Sequence, residues 1–116
     1  MMLDWSEYER QIFAAIGEIA KISPETVHAC MSLNAAGEKT GVLDAKTREL
    51  IAVAVAVTKQ CDGCIAVHTD AAVKKGATRE EIVEALGVAI AVNAGTAMVY
   101  SCRALEAYES MHAKAA

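Results

Sequence analysis

The sequence has little of what interrupts helices and little of what builds strands. Its 116 residues include one proline and only 4% aromatic residues, while 54% are apolar. The apolar residues are therefore mainly Ala, Val, Ile and Leu, and alanine-rich, proline-poor sequence favours helix. No alternation of apolar and polar residues runs long enough to predict a strand. We predict a single all-α domain of about six helices over residues 1–116.

The chain also lacks a basic surface pattern, a secretory leader and a long apolar run. Its net charge is −4 and its lysines and arginines form no continuous stripe, which argues against a nucleic-acid partner. The first seven residues lack the basic and apolar segments of a secretory signal. The longest apolar stretches, residues 50–57 and 85–91, are shorter than the roughly 18 residues that a membrane helix needs. We expect a cytoplasmic protein without a membrane partner.

The apolar content is high for so short a chain, because a small domain buries only part of its surface. We therefore expect helices to be buried between subunits of a homo-oligomer. In a cytoplasmic protein, four cysteines do not indicate a framework of structural disulfides. We expect Cys30 and Cys102 to be buried in helices without a catalytic part, since free cysteine is among the most buried residue types.

Capping signals and apolar periodicity indicate where the helices lie. The valines of residues 50–57 would also suit a strand, but the continuous pattern from Ala45 favours a buried helix. Gly76 is a suitable C-terminal glycine for the fourth helix, and the segment from Asn93 to Gly95 separates the fifth from the sixth. The predicted helices begin near Trp5, Pro24, Ala45, Cys61, Thr78 and Thr96.

The clearest chemical motif is Cys61-Asp62-Gly63-Cys64, followed four residues later by His68. At helical spacing the two thiols and the imidazole lie within a narrow arc of one helix. Such a set can carry out dithiol redox chemistry, or it can supply part of a zinc site, although no second cysteine pair completes four ligands. At a helix N-terminus, unpaired N–H groups would stabilise the thiolate of Cys61. By this argument alone, Cys61 would be the attacking thiol.

Glu49 is the next candidate, because it stands near the start of an otherwise apolar helix. It is either a solvated carboxylate that stabilises the helix dipole or a group that transfers protons. Periodicity alone leaves both interpretations open.

Glu49, the CxxC pair and His68 together resemble the pattern E-x(11)-C-x-x-C-x(3)-H. This pattern belongs to the alkylhydroperoxidase (AhpD-like) branch of the carboxymuconolactone decarboxylase family. The surrounding segments, residues 47–51, 65–69 and 76–82, are also similar to that branch, and the resemblance covers roughly residues 40–100.

The resemblance implies an all-helical fold that assembles as trimers or hexamers and works without an organic cofactor or a metal. It implies that Cys64 meets the peroxide or disulfide, with proton transfer through Glu49 and His68. Cys61 would close a disulfide that an external dithiol or protein reductant reopens. We therefore predict a thiol-disulfide oxidoreductase, acting as a disulfide reductase or as an alkylhydroperoxidase-type peroxidase. The order in which the two thiols attack stays open.

One position departs from the family pattern. Some peroxidase members carry a second histidine directly before the second cysteine, where this chain has Gly63. The departure favours reduction of a disulfide over reduction of a peroxide. Two alternatives belong to other classes of protein. A carboxymuconolactone-type decarboxylase would need Glu49 and His68 but not the thiols, and a structural oligomer would use the CxxC and His68 to hold zinc.

Overall fold

The computed structural model describes residues 2–115, and within that range it contains five α-helices and no strand. Helices α1 (Trp5–Ile22) and α2 (Pro24–Glu38) are followed by α3 (Ala45–Thr58) and α4 (Asp62–Lys74). The last helix, α5, covers Arg79–Ala115. The all-α prediction is confirmed.

The predicted capping signals begin the helices as expected. The Asp44 carboxylate accepts a hydrogen bond from the backbone N–H of Thr47 at 2.8 Å and so caps α3. At the start of α5, the backbone N–H of Glu81 donates to the Thr78 hydroxyl at 3.1 Å, and the Glu81 carboxylate accepts from the N–H of Thr78 at 3.0 Å. This reciprocal pair is a capping box.

The prediction of a sixth helix is wrong, because α5 continues through Asn93 and Gly95 without a break. The Asn93 amide donates to the carbonyl of Ala89 at 2.7 Å and to the hydroxyl of Thr58 at 3.0 Å. Its side chain is therefore held by groups of α5 and α3, and its bond to the carbonyl four residues earlier is compatible with a continuous helix. A single glycine costs a helix only about 1 kcal/mol, which a helix of 37 residues tolerates.

Helices α3, α4 and α5 form the part of the chain with the best-developed core. The buried residues are small or β-branched, which allows the helices to approach closely: Val53, Ala56, Ala66, Ala72 and Ala89. Lys46 pairs with Glu81 at 2.8 Å near the start of α3 and α5. Twelve residues further along each helix, Thr58 contacts Asn93. Helices α3 and α5 therefore run side by side in the same direction. Helix α4, which connects them in the chain, runs in the opposite direction.

Beyond Asn93, α5 projects from this core. Every residue of 94–114 is exposed, including Cys102, and Cys30 on α2 is exposed too. The prediction that both cysteines are buried is therefore wrong for the single chain. The radius of gyration is 19.5 Å, whereas a compact domain of this length has one of about 13 Å.

In length and composition alone, Arg79–Lys114 is also apolar enough to cross a membrane. A search of the sequence for uninterrupted apolar runs does not find this segment, because single polar residues such as Asn93 and Ser101 divide it. A core helix of a soluble protein passes the same test, so the observation is weak evidence on membranes.

Candidate active site

The candidate site lies where α3 and α4 meet, and the turn between these helices determines its geometry. Lys59 is the C-terminal cap of α3, and Gln60 follows with a φ of 54°. The N–H of Gln60 donates to the carbonyl of Val57, and the N–H of Cys61 donates to that of Ala56, both at 3.1 Å. This pair of hydrogen bonds is a Schellman motif, in which the left-handed position is ordinarily glycine.

Cys61 follows directly and is the N-terminal cap of α4, as the predicted helix start near this residue required. Its Sγ accepts a hydrogen bond from the backbone N–H of Cys64 at 3.2 Å. The two residues are joined by a disulfide, with their Cα atoms 5.2 Å apart. The first turn of α4 therefore places both sulfur atoms at the positive end of its dipole.

Glu49 and His68 form the second half of the site. His68 Nδ1 lies 2.8 Å from Glu49 Oε2, which joins α3 to α4 by a hydrogen bond between side chains. Both side chains are only about one-fifth exposed, at 22% for Glu49 and 21% for His68. The bond fixes the ring orientation and leaves Nε2 as the nitrogen available to a second partner.

A cavity of about 480 Å³ opens beside this pair. Cys64, His68 and Glu49 all line it, whereas Cys61 is not among the lining residues. The structure thus brings three of the four predicted site residues to one cavity and joins the fourth to it through the disulfide. The apolar part of the lining comes from α3 and the loop before it: Leu43, Ile51, Ala52, Val55 and Ala56.

The remaining lining residues are polar, and sequence reasoning did not identify them as part of a site: Asn34, Glu38, Arg48 and Lys59. The Arg48 guanidinium donates from Nη1 to the backbone carbonyl of Gly37 on α2 at 2.9 Å. Arg48 and Gly37 are 11 residues apart and in different helices, so helical periodicity does not relate them. The only signal in the sequence is the adjacency of Arg48 to Glu49.

Gly63 faces away from the cavity. A Cβ built on it would lie 3.7 to 3.8 Å from the side chain of Ile12 on α1. A side chain at position 63 would therefore begin in ordinary van der Waals contact with α1, on the side of α4 away from the cavity.

Within residues 2–115, no group of three or more His, Cys, Asp or Glu side chains is arranged to hold a metal ion. The arrangement that these residues do present is a disulfide-bonded pair of sulfur atoms beside a carboxylate–imidazole pair. Such a site can exchange two electrons and can move protons to or from a sulfur atom.

Bacterial proteins have similar sequences over most of their length. An uncharacterised protein of Haemophilus influenzae is 50% identical over 108 residues, covering 93% of this chain and 96% of that protein. "Uncharacterized protein 4 in cox locus" of Paracoccus denitrificans is 40% identical over 92 residues, covering 79% of this chain and 83% of its own.

Two solved structures are also similar to this chain. A crystal structure of a carboxymuconolactone decarboxylase family protein from Legionella pneumophila, in its apo form, has 43% identity and a TM-score of 0.73. The match covers 91% of this chain and 95% of the Legionella pneumophila chain. A protein from Methanobacterium thermoautotrophicum has 30% identity and a TM-score of 0.67, over 73% of this chain and 92% of its own.

The model of the carboxymuconolactone decarboxylase family matches residues 24–107, a segment that includes α3, α4 and every residue of the candidate site. A match of this extent, together with the relatives and the shared fold, confirms the resemblance predicted from the motif. The chain belongs to the carboxymuconolactone decarboxylase family.

Proposed function

We propose that this protein is a thiol-disulfide oxidoreductase that cycles Cys61 and Cys64 between dithiol and disulfide and reduces a disulfide substrate. The observation that carries the proposal is the position of Cys64. It lines the cavity beside the Glu49–His68 pair and is disulfide-bonded to the N-terminal cap of its own helix.

The reaction begins with the reduced enzyme and a disulfide in the cavity. The Cys64 thiolate attacks one sulfur of the substrate, forms a mixed disulfide and releases the other sulfur as a thiolate, which takes up a proton. The Cys61 thiolate then attacks the Cys64 sulfur, and the second substrate thiol leaves. Two electrons have moved from the enzyme to the substrate, and an external dithiol or protein reductant returns them by reducing the Cys61–Cys64 disulfide.

The remaining groups support this assignment of roles. In the reduced enzyme, the N–H of Cys64 and the dipole of α4 favour the thiolate form of Cys61, which suits its attack on the mixed disulfide. His68, oriented by Glu49, is the group that would transfer the proton at Cys64 and at the leaving thiol. The site as described calls for no organic cofactor or metal.

Reduction of a hydroperoxide is the alternative activity of the same thiols. Cys64 would then attack the peroxide, an alcohol would leave, and Cys61 would close the disulfide with loss of water. We favour the disulfide substrate because position 63, where some peroxidases carry a relay histidine, is a glycine that faces Ile12.

The test is turnover of a small disulfide with an external dithiol, measured for single cysteine variants. Cys64→Ser should abolish turnover, and Cys61→Ser should trap a mixed disulfide at Cys64, which intact-mass spectrometry detects as one bound thiol. Both variants should be made in a Cys30→Ser, Cys102→Ser background, because those two exposed thiols would otherwise bind the substrate's thiol as well. That background alone should keep wild-type turnover and serves as the control.

Three other results would redirect the assignment. Turnover that survives Cys64→Ser would contradict the dithiol cycle. Lactone decarboxylation that depends on Glu49 and His68 but survives loss of both thiols would indicate the decarboxylase alternative. Stoichiometric zinc in the purified protein, with thiols that do not pair, would indicate the structural alternative.

We further propose that the chain works in the cytoplasm as a homo-oligomer, a trimer or a hexamer, in which another copy covers the second half of α5. The apolar side chains of this segment are more than half exposed in the single chain: Met98, Val99, Leu105, Tyr108 and Met111. An apolar surface of this extent is typical of subunit interfaces. Light scattering coupled to size exclusion should give a mass of three or six chains, and Leu105→Glu should reduce it. A monomeric mass for the wild type would contradict the proposal.

A further inference from the structure

We infer that Arg48 is a positioning residue for this site and that it holds the end of α2 in place as one wall of the substrate cavity. This inference rests on the proposed function for its kinetic consequences, but not for the contact itself. Arg48 Nη1 donates to the carbonyl oxygen of Gly37 at 2.9 Å, and both residues are partly buried.

Helix α2 packs mainly against α1. All of its residues are exposed except Val27, near its start, and Gly37, near its end. Two residues of α2 nevertheless line the cavity, Asn34 and Glu38. They are four apart and so share a helix face. The position of this wall therefore depends on what holds the helix end, and among the described residues the Arg48 bond is the side-chain hydrogen bond that joins this end to another helix.

The end of α2 is suited to receive a cation from another helix. Its last turn contains no basic side chain. The Gly37 carbonyl accepts backbone hydrogen bonds from the turn that follows, including a long one from the N–H of Thr40 at 3.4 Å, and carbonyl groups at a helix C-terminus carry partial negative charge. A guanidinium brought from α3 supplies both a hydrogen-bond donor and a positive charge at that point.

Gly37 permits the close approach. A Cβ built on Gly37 would lie 2.8 Å from Arg48 Nη2 and 3.4 Å from Nη1. The nearest atoms belong to the far end of a flexible side chain, so an added methyl group would displace the guanidinium without disrupting the backbone. The absence of a side chain at position 37 and the presence of arginine at position 48 are thus two parts of one contact.

The start of α3 also contacts α4, which forms the other wall of the cavity. Glu49, the next residue, contacts His68 of α4, while Arg48 contacts α2. Successive residues of a helix point about 100° apart, which allows adjacent side chains to reach helices on two sides of the cavity. Loss of the Arg48 contact should therefore change how substrate is held while leaving the Glu49–His68 pair intact.

The experiment combines kinetics with hydrogen exchange on three variants of the full chain. Arg48→Met should raise the KM for a small disulfide about tenfold with kcat within a factor of about two, a loss typical of one hydrogen bond to a charged group. The backbone amides of residues 36–42 should exchange faster than in the wild type. Arg48→Lys should recover part of both effects, because an ammonium can still donate to the Gly37 carbonyl.

Gly37→Ala separates this role from a general loss of stability. Alanine favours helix over glycine by about 1 kcal/mol, which offsets part of the lost hydrogen bond, so the variant should stay close to the wild type in stability and yet show the raised KM and the faster exchange. The double variant Arg48→Met, Gly37→Ala should be no worse than Arg48→Met alone, because both changes remove the same contact. Gly17→Ala is the matched control, since a Cβ there meets nothing within 4 Å.

Two results would overturn the inference. Wild-type exchange at residues 36–42 in Arg48→Met would show that Arg48 does not hold α2. A KM that rises in Arg48→Met only for anionic disulfides, with Gly37→Ala behaving as the wild type, would show that Arg48 binds substrate directly. The exchange measurement needs no turnover, so failure of the dithiol cycle and failure of the Arg48 contact are observed separately.

Discussion

Replacement of Gln60 by glycine should stabilise the protein, although it removes a side chain directly before the CxxC motif. Gln60 has a φ of 54°, and a non-glycine residue in the left-handed region costs about 1–2 kcal/mol. Glycine avoids that cost but gives the unfolded chain more freedom, which offsets about 0.5–1 kcal/mol. The expected net gain is therefore roughly 0.5–1 kcal/mol, or about 2–4 °C in Tm for a chain of this length.

The chain contains its own control for this prediction. Helix α4 ends in the same motif, with the N–H of Gly76 donating to Val73 at 3.0 Å and that of Ala77 to Ala72 at 2.9 Å. There the left-handed position, with a φ of 87°, is a glycine, and a Cβ would meet nothing within 4 Å. Gly76→Ala should accordingly lose about 1 kcal/mol, for backbone reasons alone.

Urea unfolding of the oxidised proteins at one fixed chain concentration measures both changes, since subunit association makes stability depend on concentration. Turnover of Gln60→Gly should stay within about twofold of the wild type, because the hydrogen bonds of the turn use backbone atoms that glycine retains. The argument would be refuted if Gln60→Gly were less stable than the wild type while Gly76→Ala lost stability as expected. It would mean that the Gln60 side chain makes a compensating contact.

Two further predictions concern groups at the start of α3 and in the site. Glu49→Gln should lower kcat by a factor of about 10²–10⁴, the usual contribution of proton transfer. His68→Ala should add little to that loss, because the two side chains act as one pair. Stopped-flow reduction of a disulfide measures both losses, and a double variant whose losses multiply strictly would contradict a shared role. The N–H of Thr47 holds the pKa of Asp44 below its usual range. The stabilisation from this cap should therefore be complete above the usual aspartate range and be lost as pH falls through the lowered pKa, whereas Asp44→Asn should remove this pH dependence from unfolding curves. Identical acid profiles for the two proteins would show that the cap does not contribute.

Local features of the fold could be read from the sequence because the interactions that produce them are local. Asp44 and Thr78 cap helices through groups within three residues of themselves, and Gly76 ends α4 through its own backbone. The continuation of α5 past Asn93 was not predictable in this way. One of the two hydrogen bonds of the Asn93 amide goes to Thr58, 35 residues earlier in the chain, and no local spacing relates these two residues.

The same distinction explains the errors about burial and the missed part of the site. Free cysteine is usually buried, which is the basis of the prediction for Cys30 and Cys102. Burial depends on which helix faces pack against neighbours, and both residues lie on exposed faces of the single chain. The Arg48–Gly37 contact joins two helices whose relative position no spacing along the chain determines. Both features require knowledge of tertiary neighbours.

The spacing of the motif was informative for a physical reason that the structure makes clear. Glu49 lies 9 residues before the end of α3 at Thr58, and His68 lies 7 residues after Cys61. At 1.5 Å of rise per residue, both side chains are about 10–14 Å from the turn, on helices that run in opposite directions. The turn itself is fixed in length by its two hydrogen bonds. The eleven residues between Glu49 and Cys61 are thus the length of helix and turn that brings the carboxylate opposite the imidazole. A linear pattern can predict a contact between two helices where, as here, one short turn of defined geometry connects them.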